Sequence, residues 1–164
     1  MIAGLRKDRR PIVIAAVAAT LVAMTGGLLT EIGPWYLALK KPAWQPPDWA
    51  FGPAWTIIFA LCAVAGAIAW REASDRATRR IVLACFAANA VLNVGWSCLF
   101  FTMRRPDLAL VEVGFLWLSV LALVLVLRRI SRQAGWLLVP YLAWVSFAAF
   151  LNFTVVKLNP AIGS

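Results

Sequence analysis

The sequence predicts an all-α membrane protein whose single domain, residues 1–164, folds as a bundle of five transmembrane helices. Of its 164 residues, 63% are hydrophobic and only 14% are charged, whereas soluble domains are about half apolar. The apolar residues also form separate runs of about 20 residues, which is the length of a helix that crosses a bilayer. These two observations leave almost no chain for a soluble domain.

Five spans follow from the apolar runs. Pro11 and Pro53 open the first two, at helix starts where a missing N–H is tolerated. Most loops are short, so neighbouring helices should pack antiparallel. A cleaved signal peptide is the alternative for the first run, but this run is longer than the usual apolar h-region of a signal peptide and no soluble domain follows it. The predicted spans cover about residues 11–29, 53–70, 81–103, 107–127 and 133–156, with a Pro/Trp-rich loop over 30–52.

The loop after the first span is the most informative segment. From Trp35 to Phe59 the chain reads WYLALKKPAWQPPDWAFGPAWTIIF and holds four of the nine tryptophans. Proline fixes φ and removes a backbone donor, so this connector is predicted to be stiff. Tryptophan combines a broad π surface with one N–H, which suits a membrane interface or a flat aromatic ligand. We therefore expect a rigid, aromatic cover over the helices.

The basic residues predict the topology. The net charge is +9, and the 16 lysines and arginines cluster at the ends of the apolar runs, a pattern that disfavours nucleic-acid binding. The positive-inside rule places the N-terminus in the cytoplasm and the 30–52 loop outside, as in an inner membrane. Eleven basic residues fall on the N-terminal side, namely Arg6, Lys7, Arg9, Arg10, Arg71, Arg76, Arg79, Arg80, Arg128, Arg129 and Arg132, and five on the other, namely Lys40, Lys41, Arg104, Arg105 and Lys157.

The sequence shows no constellation of residues typical of a metal site or of common enzymatic chemistry. It contains no histidine, the commonest metal ligand and general base. Cys62, Cys85 and Cys98 each lie inside an apolar run, where a free cysteine usually acts as a small hydrophobe. No catalytic triad, phosphate-binding glycine loop or metal-ligand spacing is present. We predict no metal and no obligatory cofactor.

Aromatic and polar side chains recur at helical spacing in the second and third spans. Trp55 and Phe59 share a face and lie just under the loop, where they could pack between helices or line a pocket. Asn89, Asn93 and Trp96 form a stripe in the third span, and each asparagine could bond a neighbouring helix or contact a ligand. A parallel stripe of small residues, Ala84, Ala88 and Gly95, would allow close helix approach within the bundle or in a homodimer.

The fourth and fifth spans hold two further candidates. Trp144 lies deep in the fifth span, where an indole needs a hydrogen-bond partner or a polar ligand group, and Ala148 on the same face would leave room for a cavity. Trp136 is predicted to be an interfacial anchor. Glu112 is the one acid well inside an apolar run, and it either serves a function or reaches water or pairs with Arg104 or Arg105.

Three segments together resemble a known family. WYLALKKPAWQPPDWAFGPAWT, NAVLNVGWSCLFF and VPYLAWVSFAAFLN are similar to the tryptophan-rich sensory protein and translocator protein family (TspO/MBR, the peripheral benzodiazepine receptor family). The likeness spans about residues 26–152. It implies a five-helix bundle, usually a homodimer, with a pocket closed by the first loop. Because some family members are placed in an outer membrane, that location is an alternative to the inner membrane. By motif, it implies ligand contacts at Trp44, Trp55, Phe59, Asn93, Trp144 and Ala148, with Asn89 and Leu108 nearby.

The resemblance also implies a ligand class. Family members bind porphyrins, including protoporphyrin IX and haem, and some bind cholesterol and benzodiazepine-type drugs. The expected function is therefore a multi-pass receptor or carrier for tetrapyrroles, in porphyrin transport or stress-linked regulation. The alternative is a light-dependent porphyrin-degrading enzyme in which Trp55 and Trp144 act as redox groups. A third, weaker hypothesis is a proton-coupled exporter that uses Glu112.

The sequence departs from the family pattern at several of these positions. Phe59 replaces a frequent tyrosine, Asn89 a frequent glutamine, and Leu108 a tryptophan of some relatives. The sterol-recognition pattern near the end of the fifth span has Phe153 in place of its central tyrosine, and such patterns are weak even when intact. Sterol binding is thus a weaker expectation than porphyrin binding.

Overall fold

The computed structural model describes residues 9–161; it is 84% helical, and the described residues contain no strand. Five helices are long and apolar enough to cross a membrane, as predicted. Arg6 and Lys7, which contribute to the predicted topology, lie outside the described residues. The elements are α1 Arg10–Leu29, α2 Pro34–Ala38, a 3₁₀ turn Asp48–Ala50, α3 Phe51–Glu72, α4 Arg76–Ser97, a π-helical turn Cys98–Thr102, α5 Pro106–Ile130, α6 Arg132–Leu137 and α7 Val139–Leu158.

The third span begins earlier than the hydropathy indicates because a side chain caps it. Asp75 accepts a hydrogen bond from the backbone N–H of Thr78 at 2.9 Å, so α4 starts at Arg76 and not near residue 81. Because the first turn of α4 is charged, a prediction based on apolar runs alone does not include it in the span. Hydrogen bonds from Thr78 also hold the pKa of Asp75 at about 2.

The fifth span is interrupted, which the sequence analysis did not predict. α6 ends at Leu137 and α7 begins at Val139, with Leu138 as a single turn residue between them. Pro140 lies in the first turn of α7 and has no N–H to continue the ladder of α6. Trp136 and Trp144 therefore lie on two successive helices.

The bundle is solid in one half. α5 packs against α4, α6 and α7, while α3 packs against α6. Large side chains fill the space between them at the end where α3 turns into α4. The largest fully buried ones are Leu123, Leu127, Leu138 and Tyr141.

The other half, beneath the 30–52 loop, is built differently. α1 packs on α3 and α4, yet none of its side chains is buried. One face of α1 carries exposed apolar residues that face the lipid. The opposite face carries small residues that face the interior of the bundle. The half of the bundle next to the loop is therefore hollow.

Candidate ligand cavity

A cavity of about 900 Å³ lies between α1, α3, α4 and α7, under the loop. α1 contributes small side chains to its wall, among them Ala16, Ala19, Ala23 and Gly27, and these leave the space that larger residues would fill. The volume lies near the upper end of the range for small-molecule sites. Its size and apolar walls suit a large, mostly apolar ligand.

Indole and phenyl rings form the wall on the α3 and α7 side. Trp55 stacks on Phe59 at 5.5 Å between ring centroids and meets Trp144 edge-to-face at 6.3 Å. Phe51 adds a second edge-to-face contact to Trp144 at 5.7 Å. Because aromatic neighbours fix these rings, the wall is pre-organised.

One donor in this wall has no partner. The indole Nε1 of Trp144 is buried and makes no hydrogen bond with the described residues. By contrast, Trp96 donates to Asn152 at 3.2 Å and Trp117 to Ser146 at 2.8 Å. A buried donor without an acceptor costs about 1–3 kcal/mol. A ligand acceptor beside Trp144 would remove that cost.

A chain of hydrogen bonds joins three helices next to the cavity. The Asn93 amide donates to the Tyr141 hydroxyl at 3.1 Å, and this hydroxyl donates to Asn89 at 3.1 Å. Asn89 in turn donates to Ser119 at 2.9 Å. Of these residues Asn93 is the one that reaches the cavity. Asn89 is occupied on both its oxygen and its nitrogen, so it fixes α4 to α5 and α7.

A polar cluster closes the mouth. The Tyr36 hydroxyl donates to Asp48 at 2.8 Å, and Gln45 donates to that hydroxyl at 3.2 Å. Burial, followed by the hydrogen bond and charge of Asp48, raises the pKa of Tyr36 to about 12. The ammonium of Lys41 lies 3.7 Å from the centre of the Tyr36 ring. Lys41 and Asp48 are the charged side chains that line the cavity among the described residues.

Asn159, just past the end of α7, ties the loop to the bundle. Its side-chain oxygen accepts from the Lys40 backbone N–H at 3.0 Å, and its amide donates to the Lys40 carbonyl at 2.9 Å. The same amide donates to Val155 in the last turn of α7 at 2.7 Å. The loop is therefore pinned from the far end of the sequence.

Comparison with known proteins agrees with this architecture. The sequence profile described as the TspO/MBR family matches residues 13–158, nearly the whole chain. The chain belongs to the TspO/MBR family. It is 43% identical to "Tryptophan-rich protein TspO" of Chlorobaculum tepidum over 77% of this chain and 80% of that protein. It is 34% identical to "Protein CrtK" of Rhodobacter capsulatus over 88% of this chain and 89% of that protein. It is also 34% identical to "Translocator protein" of Sus scrofa over 89% of this chain and 90% of that protein.

The TspO/MBR fold brings five of the eight predicted ligand positions together. Trp55, Phe59, Asn93, Trp144 and Ala148 all line the cavity. Their role as ligand contacts stays a prediction, since location alone does not test it.

The other three predicted positions lie elsewhere. Trp44 is 46% exposed and stacks on Phe150 at 5.2 Å, so it packs against the outside of α7. Leu108 is 39% exposed and Asn89 is bonded to neighbouring helices; neither lines the cavity.

Several cavity residues of this TspO/MBR chain were missed. Tyr36, Gln45 and Asp48 line the mouth, yet they lie in a short helix, a turn and a 3₁₀ turn, which are too short for periodicity to mark an inward face. The small residues of α1 gave no chemical signal. The one sequence signal for these cavity residues was that a tyrosine, a glutamine and an aspartate lie close together along a loop stiffened by proline.

Glu112 corrects one expectation. Both its carboxylate oxygens are buried and have no hydrogen-bond partner among the described residues. Arg105 is engaged with Asp107 instead, so the alternative in which Glu112 pairs with Arg104 or Arg105 is wrong. The carboxylate lies beside Gly95 of α4, where a Cβ would be in ordinary contact with Oε1 at 3.9 Å. No cluster of three metal-ligating side chains occurs in residues 9–161.

Proposed function

We propose that this protein is a membrane receptor or carrier that binds a tetrapyrrole, such as protoporphyrin IX or haem, in the cavity under the loop. The observation that carries the proposal is the aromatic wall of a cavity of about 900 Å³, in which Trp55 stacks on Phe59 and meets Trp144 edge-to-face. A macrocycle would offer its flat face to Trp55, and a small turn of the Trp144 ring would bring its unpartnered Nε1 to a ligand acceptor. Stacking and apolar burial would supply most of the binding free energy.

The mouth fits the acidic side chains of such a ligand. Lys41 lines the opening, and its ammonium is held over the Tyr36 ring. A ligand carboxylate at this point would meet one positive charge. Asp48 lies in the same cluster and is oriented by Tyr36 and Gln45, so its charge would keep the carboxylate on the Lys41 side.

The test is a titration of protoporphyrin IX in the dark, followed by quenching of tryptophan fluorescence. Trp144→Phe keeps a ring and removes the N–H, so affinity should fall about fivefold to tenfold, as expected for one lost hydrogen bond of about 1 kcal/mol or slightly more. A Trp55→Phe, Trp144→Phe double variant should lose more. Trp136→Phe, outside the cavity, is the matched control. Unchanged affinity in the double variant would reject this site.

A second candidate is light-driven oxidation of the bound porphyrin by dioxygen, and one observation favours it. Aromatic rings form a continuous chain from the cavity to the surface: Trp55 to Trp144 at 6.3 Å, Trp144 to Phe147 at 5.4 Å, and Phe147 to Trp44 at 6.1 Å. Trp55, Trp144 and Trp44 are its oxidisable members, and an electron from Trp44 could tunnel past Phe147 to an oxidised Trp144. A new absorbing product under light and air in the wild type, missing in Trp144→Phe, would support this activity.

The assembly and location belong to the same proposal. The α4 face that includes Ala84 and Ala88 is exposed in the single chain, and close packing of small residues is a common helix contact in lipid; it supports a homodimer. The arginine-rich end supports a cytoplasmic N-terminus in an inner membrane. Sterols and benzodiazepine-type drugs are further candidate ligands for the apolar cavity.

A further inference from the structure

The solid end of the bundle, where α3 turns into α4 and α5 into α6, presents a cluster of arginines with unused hydrogen-bonding capacity. The acids nearby are few, and Asp75 is committed to capping α4. Within residues 9–161, none of the six arginines in this cluster forms an ion pair with an acidic residue. The six are Arg76, Arg79, Arg80, Arg128, Arg129 and Arg132.

Two of these arginines are held against tryptophans. The guanidinium of Arg79 lies 5.2 Å from the Trp70 ring, and that of Arg128 lies 5.6 Å from the Trp136 ring. A flat guanidinium stacks on an indole and keeps its N–H fork free for an anion. Tryptophans concentrate at the boundary between hydrocarbon and headgroups, so both forks are placed at headgroup depth.

Arg79 differs from its exposed neighbours in one respect. Its Nε is buried and has no hydrogen-bond partner among the described residues. Arg76 and Arg80 are exposed, so water can satisfy them. A buried guanidinium donor that lacks an acceptor is costly, and the acceptor that suits it best is an anionic oxygen.

Apolar surface continues from these two arginines along the helices. Leu83, one turn beyond Arg79, is 56% exposed, and Leu125, about one turn before Arg128, is 50% exposed. α4 and α5 are antiparallel neighbours, so the start of α4 lies beside the end of α5. A molecule with a phosphate at the arginines could lay acyl chains over these leucines.

We propose that this end of the bundle is a binding site for an anionic phospholipid, whose phosphate is held by Arg79 and Arg128. Phosphate oxygens match the guanidinium fork in two-point hydrogen bonds. Basic pockets between transmembrane helices are a recurrent form of lipid headgroup site. The site is separate from the ligand cavity and does not depend on the proposed function.

The experiment uses the full chain in nanodiscs of phosphatidylcholine with a minority of phosphatidylglycerol, and it counts retained lipids by native mass spectrometry. The wild type should retain phosphatidylglycerol preferentially. Arg79→Gln and Arg128→Gln should each reduce that preference about tenfold, the loss expected for one charge-assisted hydrogen bond. Arg80→Gln and Arg129→Gln remove the same charge without a tryptophan contact, and should stay within about twofold of the wild type.

Three results would overturn the proposal. Equal losses in all four variants would mean that the lipid is attracted only by diffuse charge, and unchanged retention in Arg79→Gln would exclude Arg79 from the site. Displacement of the lipid by millimolar inorganic phosphate would make the site one for the free anion. Equal melting temperatures in discs of pure phosphatidylcholine establish that each variant folds. If Arg79→Gln does not fold, Arg79→Lys keeps the charge but loses the fork, and it should still lose most of the preference.

Discussion

The strongest prediction concerns the hold of Asn159 on the loop. Asn159 makes two hydrogen bonds with Lys40, one to its N–H and one to its carbonyl, and residues 30–52 cover the cavity. Each bond is worth about 0.5–1.5 kcal/mol. Asn159→Ala should therefore favour the released loop by about 1–3 kcal/mol, which raises the released population about 5-fold to 150-fold.

Hydrogen exchange at the Lys40 amide measures this directly, because that N–H is the donor to Asn159. Asn159→Asp provides an intermediate step, since it keeps the acceptor for the Lys40 N–H and loses the donor to the carbonyl. Exchange should accelerate in the order wild type, Asn159→Asp, Asn159→Ala, and ligand dissociation should follow the same order. If Asn159→Ala exchanges at the wild-type rate, the loop is not held by this contact.

Three further predictions concern stability. Gly135→Ala should destabilise the protein by about 1–3 kcal/mol or more, because a Cβ there would lie 2.5 Å from the Arg128 Cβ and 2.7 Å from its Cα; Gly114→Ala, with nothing within 4 Å, is the control and should be neutral or stabilising in thermal unfolding. Glu112→Leu should raise stability by about 1–3 kcal/mol, because it removes a buried carboxylate without a partner; a lower melting temperature would contradict this. The pKa of Asp75 falls from 3.8 to about 2 on folding, so its contribution is complete above pH 4 and is lost as the pH falls through 2; Asp75→Asn should keep the cap and flatten the unfolding profile over that interval.

The fold was largely predictable because lipid imposes a simple rule. A chain that crosses hydrocarbon must satisfy its backbone within helices, so apolar length alone marks the spans. The errors lie where that rule is silent. Asp75 starts α4 with a charged turn, and Pro140 interrupts the last span at Leu138, and both are local backbone effects inside or beside an apolar run.

The lining of the site was less predictable, because helical spacing shows which residues share a face of a helix but not which neighbouring helix or cavity that face contacts. Trp55 and Trp144 were expected to share a pocket, and they do line one. Asn89 and Asn93 lie on one stripe and both bond the Tyr141 hydroxyl, yet Asn89 also bonds Ser119 while Asn93 reaches the cavity. Only the positions of the partner helices separate two such residues.

The hollow half of the bundle has an energetic consequence. The walls of this cavity of about 900 Å³ come from separate helices and the loop, so the site exists only in the folded chain. A ligand that fills the space better than lipid binds the folded state alone, and its binding free energy becomes folding stability.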